Sequence, residues 1–228
     1  NCWDSWAQPY LNKAMEMGLI TEEDTDFRYN GLPCTRGNMA KIATRAFEYL
    51  KEEDIADTST YATKLKDYSD IPDKFKKYVL QAYGKGIISG YEDGTFKPNN
   101  SITREEASML LYKTAQYMGY NDFYEDYKLS DYKYADDEEI GEWAKEAVYQ
   151  MNKAEIMTGM GDDMFSPKSN YTNEQSISTI MRLYDLQNKP KSTPTPTLAP
   201  IPEPTEVPTT EETDIPETDG GETTVQEN

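Results

Sequence analysis

Histidine is absent from the sequence, which excludes a Ser-His-Asp triad, a histidine metal site and a histidine pH switch. The two cysteines, Cys2 and Cys34, are too few for a four-cysteine zinc site or for a disulfide scaffold. No apolar run approaches the roughly 18 residues of a membrane span. Basic residues are also scarce: 23 Lys and Arg against 42 Asp and Glu give a net charge of −19, which argues against nucleic acid as a partner.

The chain begins without Met and without the apolar core of a signal peptide, so we interpret it as a mature or trimmed chain, or as a fragment. Acidic clusters at 22–24, 136–139 and 162–163 are predicted to be solvated surface rather than glycosidase carboxylates or calcium ligands, because the spacing of an EF-hand loop is missing. We therefore expect no metal and no cofactor.

Composition changes sharply at Lys189. Residues 189–228 hold 8 of the 13 prolines and no aromatic residue, so they cannot bury enough apolar surface to offset the entropy of ordering. We expect a disordered linker rich in Pro, Thr and Glu, with all folding confined to residues 1–188. Runs of this kind separate modules in exported bacterial proteins, and a cargo domain beyond Asn228 is one expectation.

Three segments of residues 1–188 resemble one another. The segment 85–115 has counterparts at 154–184 and at 17–47, and the matching threonines, Thr35, Thr103 and Thr172, are 68 and 69 residues apart. One period shared by three segments predicts three supersecondary units that bury their apolar faces against each other. We place the repeats at 1–55, 56–122 and 123–188, and name them copy one, copy two and copy three.

Each copy is predicted to form a helix, a loop and a second helix, which makes the fold all-α. Apolar residues at helical spacing place the first helices at about 6–17, 74–83 and 139–153. The second helices are expected to begin after the repeated threonines. Thr103 and Glu106 have the spacing of a capping box, and Thr35 and Thr172 stand at matching positions, so these four residues are predicted to be structural caps.

The segment "GIISGYEDGTFKPNNSITREEASMLL" of copy two resembles the S-layer homology (SLH) family, with its glycine–aspartate loop and its Thr-Arg-Ala-Glu helix start. The resemblance extends more loosely over all three copies. It implies a pseudo-threefold, trimer-like domain with a central three-helix bundle. It also implies an extracellular, non-enzymatic module that binds secondary cell-wall polysaccharide, often a pyruvylated and hence anionic glycan. Such a module tethers an exported or S-layer protein to the wall of Gram-positive-type bacteria.

The resemblance further implies that the polymer lies in grooves between neighbouring copies. A guanidinium can bind a carboxylate through two parallel hydrogen bonds, and an indole offers an apolar face to a sugar ring. For both tryptophans a plain core position is the alternative. The glycan contacts implied are the arginines of the Thr-Arg motif, a tryptophan or aspartate near each repeat start, and loop glycines: Arg36, Arg104, Trp6, Trp143, Asp70, Asp131, Gly90 and Gly159.

The copies depart from the family pattern at several positions, so the grooves cannot be equal. In copy three Asn173 replaces the arginine and Gln175 replaces the glutamate, and in copy two Lys74 stands where the other copies have tryptophan. If each groove joins the arginine of one copy to the tryptophan of the next, only Arg104 and Trp143 form a complete pair. We therefore predict that Arg104 and Trp143 form the main polymer site.

Two other functions fit the sequence less well. A helical-repeat scaffold for protein–protein contacts would bind a protein and no wall polymer. A glycan-hydrolysing enzyme would need a nucleophile and a base at suitable spacing, and the sequence shows no such pair. Cys34 is predicted to be a buried thiol, since Ile102 and Tyr171 occupy the matching positions; a Cys2–Cys34 disulfide is the alternative.

Overall fold

A computed structural model describes residues 4–27, 31–51, 59–120 and 132–188. These ranges contain short 3-10 turns and no β-strand, which confirms the all-α prediction. None of the described helices is long and apolar enough to cross a bilayer. The predicted linker, 189–228, lies outside the described residues. The helices are α1 (Gln8–Glu16), α2 (Arg36–Lys51), α3 (Ser59–Ala62), α4 (Asp73–Gly84), α5 (Arg104–Tyr117), α6 (Glu142–Lys153) and α7 (Asn173–Asn188).

The first helix of each copy differs slightly from its predicted range. α4 agrees to within one residue at each end. α6 begins three residues later than predicted, because Asp137–Glu139 forms a separate 3-10 turn before it. α1 begins at Gln8 rather than at Trp6, with a proline in its first turn, where the missing N–H costs no helical hydrogen bond.

The second helices, α2, α5 and α7, pack pairwise against one another. Their inward-facing residues recur at helical spacing and are almost fully buried. The residues are Met39, Ile42, Ala43 and Ala46 in α2, Ala107, Leu110, Leu111 and Ala115 in α5, and Ile177, Ile180 and Met181 in α7.

A closed ring of backbone hydrogen bonds joins the residues just before these helices. The Cys34 amide donates to the Tyr171 carbonyl at 2.6 Å, the Tyr171 amide to Ile102 at 2.9 Å, and the Ile102 amide back to Cys34 at 2.9 Å. Such a ring is what a pseudo-threefold arrangement requires, although the arrangement as a whole stays a prediction. Cys34 is a free buried thiol whose pKa burial raises to about 12, whereas Cys2 lies outside the described residues.

The first helix of each copy packs against the second helix of a different copy. α4 packs on α2, α6 packs on α5, and α1 packs on α7. Each second helix is therefore flanked by a first helix from elsewhere in the chain. This packing decides which side chains meet at the surface between copies.

Candidate glycan-binding pockets

Two loops of matching structure lie between the paired helices of copies two and three. In copy two the Asp67 carboxylate accepts from the Phe96 and Lys97 amides, both at 2.8 Å. In copy three the Asp136 carboxylate accepts from the Phe165 and Ser166 amides, at 2.8 and 2.7 Å. The phenylalanine of each loop is fully buried and anchors it to the core.

The aspartates implied by the resemblance are not the ones that hold these loops. Asp70 is exposed and accepts from the adjacent Ser69 hydroxyl, and Asp131 lies outside the described residues. The two loop-holding aspartates are 69 residues apart, the same spacing as Phe96 and Phe165. Asp70 and Asp131 are 61 residues apart, so they do not occupy equivalent positions of the repeat.

Gly90 and Gly159 occupy the neck of each loop. A Cβ at Gly90 would lie 2.9 Å from the Thr95 carbonyl oxygen, and one at Gly159 would lie 2.8 Å from that of Met164. Both contacts are too close for any other residue, so glycine lets the two sides of the loop approach each other. Each glycine lines the pocket beside its loop.

The repeated threonines cap the second helices. Thr103 Oγ1 accepts from the Glu106 amide at 3.3 Å, and the Glu106 carboxylate accepts from the Thr103 amide at 2.9 Å. Thr172 and Gln175 form the same reciprocal pair at 3.2 and 3.1 Å. A neutral glutamine therefore completes this capping box as well as a glutamate does. Thr35 Oγ1 accepts from the α2 backbone at 3.1 Å.

Each arginine of the Thr-Arg motif reaches into the loop of the following copy. Arg36 Nε donates to the Phe96 carbonyl and Arg104 Nε to the Phe165 carbonyl, both at 2.8 Å. The outer guanidinium nitrogen, Nη2, donates to Ser89 O at 3.4 Å in one case and to Thr158 O at 2.7 Å in the other. These bonds explain why a cation is kept in the first turn of a helix, where the helix dipole disfavours it.

The first cavity, which we call the Arg36–Trp143 pocket, lies beside the loop of copy two and has a volume of about 660 Å³. α5 forms its floor, Arg36 reaches it from α2, and Trp143 reaches it from α6. Its other lining side chains include two apolar residues of α5, Met109 and Leu110, and the charged residues Glu92, Asp93, Glu106 and Lys113.

The second cavity, the Arg104–Trp6 pocket, lies beside the loop of copy three and measures about 150 Å³. α7 forms its floor, Arg104 reaches it from α5, and Trp6 comes from the turn before α1. It is also lined by Arg182 and by three polar side chains of α7, namely Gln175, Ser178 and Thr179. Its described lining residues include no carboxylate.

The predicted pairing of Arg104 with Trp143 was wrong. Arg36 shares a pocket with Trp143, and Arg104 shares one with Trp6. The reason is helix packing. Each pocket lies on the second helix of a copy, and its arginine comes from the preceding copy. Its tryptophan comes from the first helix that packs on that second helix, α6 on α5 or α1 on α7. When the three copies are counted in cyclic order, the tryptophan therefore follows the arginine by two copies rather than by one.

Both tryptophans are about half exposed, Trp6 at 48% and Trp143 at 54%, so the alternative of a plain core position was wrong for each. Each indole lines the same cavity as a guanidinium, so that an apolar ring face and hydrogen-bond donors border one space. The two open tryptophans are consistent with the role that the resemblance implies.

The third interface is different in kind. Asn173 stands where the other copies have arginine, and its Nδ2 donates to the Asp26 carbonyl at 2.8 Å. Lys74, at the tryptophan position, forms an ion pair with the Asp26 carboxylate at 2.5 Å. Asn173 Nδ2 and the Lys74 ammonium are thus paired within the chain, whereas the buried Asn173 Oδ1 has no hydrogen-bond partner.

The two pockets differ most in their charge. In the Arg36–Trp143 pocket, Glu106 pairs with Arg36 at 3.2 Å and accepts from the Tyr91 hydroxyl at 3.1 Å. In the Arg104–Trp6 pocket, no described carboxylate lies within ion-pair distance of Arg104, which is only 3% exposed. Burial lowers the pKa of the Arg104 guanidinium, as expected for a cation removed from water without a paired carboxylate.

Sequence reasoning missed Arg182, the second guanidinium of the Arg104–Trp6 pocket. It donates to the Ile156 carbonyl at 3.2 Å. Its position is 69 residues after Lys113, which lines the other pocket, so the repeat spacing was the available signal. Ser178 was missed as well: its hydroxyl is buried at the same pocket and has no hydrogen-bond partner in the structure.

Comparison with known proteins agrees with this architecture. The model of the S-layer homology domain matches residues 64–108 and 133–172. An endoglucanase of Bacillus sp. (strain KSM-635) is 28% identical over 78% of this chain and 18% of its own length. A cellulosome-anchoring protein of Acetivibrio thermocellus is 30% identical over 46% of this chain and 22% of its own length. Cell surface glycoprotein 1 of the same species is 29% identical over 61% of this chain and 6% of its own length.

Residues 64–108 in copy two and residues 133–172 in copy three are therefore S-layer homology domain segments. The chain spans less than a quarter of the length of each of these relatives, and the enzyme among them matches only over this part. The S-layer homology domain is a binding and anchoring module of the extracellular cell surface, not a catalytic one.

Proposed function

We propose that residues 1–188 bind an anionic secondary cell-wall polysaccharide, through the Arg104–Trp6 pocket above all, and so tether an exported or S-layer protein to the bacterial wall. Carboxylate groups such as pyruvyl ketals are the feature of the polymer that this pocket recognises. The cell-surface anchoring role of the family supports the proposal.

The observation that carries the proposal is the charge of the Arg104–Trp6 pocket. Arg104 and Arg182 bring two guanidinium groups to one cavity that contains no carboxylate among its described lining residues, in a chain of net charge −19. A buried cation without a paired carboxylate is unfavourable unless an anion completes it. A ligand carboxylate supplies that anion by accepting from Nη1 of Arg104, since Nε and Nη2 already donate to the Phe165 and Thr158 carbonyls. The equivalent Nη1 of Arg36 donates to the Glu106 carboxylate.

The other side chains of the pocket suit a sugar ring. The exposed Trp6 indole offers a flat apolar surface for the C–H face of a pyranose. The unpartnered Ser178 hydroxyl and the Gln175 amide can exchange hydrogen bonds with ring hydroxyls. Local charge therefore outweighs the acidic character of the whole chain, as binding depends on the potential at the site.

The experiment is a binding assay on isolated wall sacculi, before and after acid removal of the secondary polymer. Wild-type protein should sediment with intact sacculi and stay in solution with the extracted ones. Trp6→Ala should weaken binding roughly tenfold, about 1.4 kcal/mol, through loss of the stacking surface. Trp143→Ala is the matched control, because it removes an equally exposed tryptophan from the other pocket.

Three outcomes would contradict the proposal. Binding that survives removal of the polymer would favour a protein partner, as in the helical-repeat scaffold. Release of sugar from the sacculi would favour a glycan hydrolase. A larger loss from Trp143→Ala than from Trp6→Ala would move the polymer to the other pocket.

A further inference from the structure

Met160 is the most exposed methionine among the residues that the structure describes. It is 55% exposed, compared with 44% for Met15, whereas Met39, Met151 and Met181 are fully buried. An exposed thioether is open to hydroperoxides, which convert methionine to its sulfoxide. Burial keeps the core methionines away from the same reagent. The chain therefore presents two thioethers, Met15 and Met160, that an oxidant in solution reaches first.

A tight loop in copy three fixes the position of Met160. The Met160 amide donates to the Met164 carbonyl at 2.8 Å, and Met160 lines the Arg104–Trp6 pocket. In the loop of copy two the Tyr91 amide donates to the Thr95 carbonyl at 2.7 Å. Met160 and Tyr91 are 69 residues apart in the sequence. They therefore occupy the same position of the repeat and of its loop.

This loop position lies next to the guanidinium of its pocket. In copy two the guanidinium carbon of Arg36 lies 4.3 Å from the centroid of the Tyr91 ring. In copy three Gln175 Nε2 donates to the Met160 sulfur at 3.6 Å. The matching loops therefore place the Met160 side chain beside Arg104 as well as beside Gln175.

Oxidation changes what the Met160 sulfur offers to these neighbours. The hydroperoxide transfers one oxygen atom to a lone pair of the sulfur, its O–O bond breaks, and the remainder keeps the proton and leaves as water or an alcohol. A thioether sulfur is a weak acceptor, whereas the sulfoxide is polar. Its oxygen can accept from Nη1 of Arg104, since Nε and Nη2 already donate to the Phe165 and Thr158 carbonyls.

We propose that Met160 is a site of oxidative modification by hydroperoxides, and that its sulfoxide competes with an anionic ligand for Arg104. The modification itself requires only the exposed thioether, whereas the competition rests on the proposed function of the Arg104–Trp6 pocket. Oxidation then weakens the tether without unfolding the protein, because Met160 lies at the surface. Enzymatic reduction of the sulfoxide restores the thioether and with it the affinity.

The modification is tested by treating the full chain with hydrogen peroxide at neutral pH and following each methionine by peptide mass spectrometry. Met15 and Met160 should gain one oxygen atom at least roughly tenfold faster than the buried Met39 and Met181. A rate for Met160 no higher than that for Met39 would overturn the modification site.

The competition is tested with two matched variants. Met15→Leu keeps the exposed thioether in the pocket, and Met160→Leu keeps the exposed thioether that lines neither pocket. After peroxide treatment, Met15→Leu should bind wall sacculi roughly three- to tenfold more weakly than before, and Met160→Leu should bind as before. Circular dichroism checks that both stay folded. Equal losses in the two variants would overturn the competition.

The Arg104 Nε–H signal of nitrogen-labelled protein, assigned with Arg104→Lys, reports the new contact without any polymer. Peroxide should shift this signal in Met15→Leu and leave it in place in Met160→Leu. An unmoved signal in Met15→Leu would overturn the competition for Arg104. If untreated wild type fails to bind sacculi, the proposed function is overturned, while the mass spectra and the Arg104 signal still decide whether Met160 is modified and whether its sulfoxide reaches the guanidinium.

Discussion

The Arg104–Trp6 and Arg36–Trp143 pockets share an arginine from a neighbouring helix start, a glycine-necked loop and a half-exposed tryptophan. They differ in the charges around the arginine: the first has two guanidiniums and no carboxylate among its described lining residues, and the second has an Arg36–Glu106 ion pair at 3.2 Å. The third interface has Asn173 at the motif-arginine position and Lys74 at the tryptophan position, and both contact Asp26.

This comparison separates the scaffold from the ligand site. The bonds from arginine to the loop carbonyls, the capping boxes and the aspartates that hold the loops recur in both pockets. These groups support the fold and cannot by themselves distinguish ligands. Selectivity must come from the non-recurring positions, above all Glu106 and Gln175.

The largest expected effect is the difference between Arg104→Ala and Arg36→Ala. Both variants remove donors from two loop carbonyls, so each should lower the free energy of unfolding by about 1–3 kcal/mol. Only Arg104→Ala should also lose a charge-assisted contact to the polymer, which costs roughly ten- to a hundredfold in affinity for sacculi. Arg36→Ala should change that affinity by less than about threefold.

The measurement is a sacculus-binding isotherm for each variant beside its urea unfolding curve. Matched losses of stability show that the two scaffolding roles are equal, so any difference in binding reflects the pocket. Equal losses of affinity, with both variants folded, would mean that both pockets bind the anionic polymer.

The Asp24 cluster tests stability without touching either pocket. Burial alone would raise the pKa of Asp24, but hydrogen bonds from Lys41, Arg45 and the Thr21 amide outweigh it and lower this pKa to about 2. Because the folded-state pKa is depressed, the contribution is full above about pH 5 and is lost as the pH falls towards 2. It amounts to about 2 kcal/mol.

Urea unfolding of the wild type and of Asp24→Asn at pH 6 and at pH 2 measures this contribution. The wild type should lose about 2 kcal/mol more than the variant between these two values. The relative affinities of the two pockets, measured for the variant at pH 7, should stay as in the wild type. A change in that ratio would show that the scaffold, and not only the lining residues, sets the selectivity.

A smaller effect is expected from the caps. Thr103→Ala and Thr172→Ala each remove one capping box and should each cost about 1 kcal/mol of unfolding free energy. Similar costs would show that Glu106 and Gln175 stabilise their caps equally well. The difference between these two residues would then lie in their charge and not in helix stability. Thermal unfolding of the two variants decides this, and a cost confined to Thr103→Ala would link Glu106 to stability rather than to selectivity.

The smallest effect belongs to the C-terminal segment. Every repeat and every aromatic residue lies within residues 1–188, so truncation after Asn188 should change the unfolding free energy by less than about 0.5 kcal/mol. Calorimetry of the truncated and full chains checks this. A large drop in Tm would mean that residues 189–228 pack against the repeats.

Local signals in the sequence were sufficient for the helices and their caps. The Thr-x-x-Glu spacing at Thr103 and the apolar stripes of α2, α5 and α7 depend only on residues a few positions apart, and both are present in the structure. The buried state of Cys34 was predicted from the apolar residues at the matching positions, Ile102 and Tyr171. Burial and capping are determined locally, which is why they were predictable.

The pairing of arginines with tryptophans was not predictable in this way, because it depends on which helices pack together. The chain brings α6 onto α5 and α1 onto α7, and this long-range packing places Trp143 beside Arg36 and Trp6 beside Arg104. The roles of Asp67 and Asp136 were not predictable for the same reason, because each carboxylate binds a loop amide 29 residues later in the chain. The exposure of the tryptophans is likewise a property of tertiary packing.

The most direct test of the account is a crystal structure of residues 1–188 soaked with a pyruvylated hexosaminide in its acid form. The account predicts the carboxylate on Arg104 and Arg182, the sugar ring against Trp6, and an unbroken Arg36–Glu106 ion pair in the other pocket. A carboxylate bound to Arg36, with Glu106 displaced and the ring against Trp143, would contradict it.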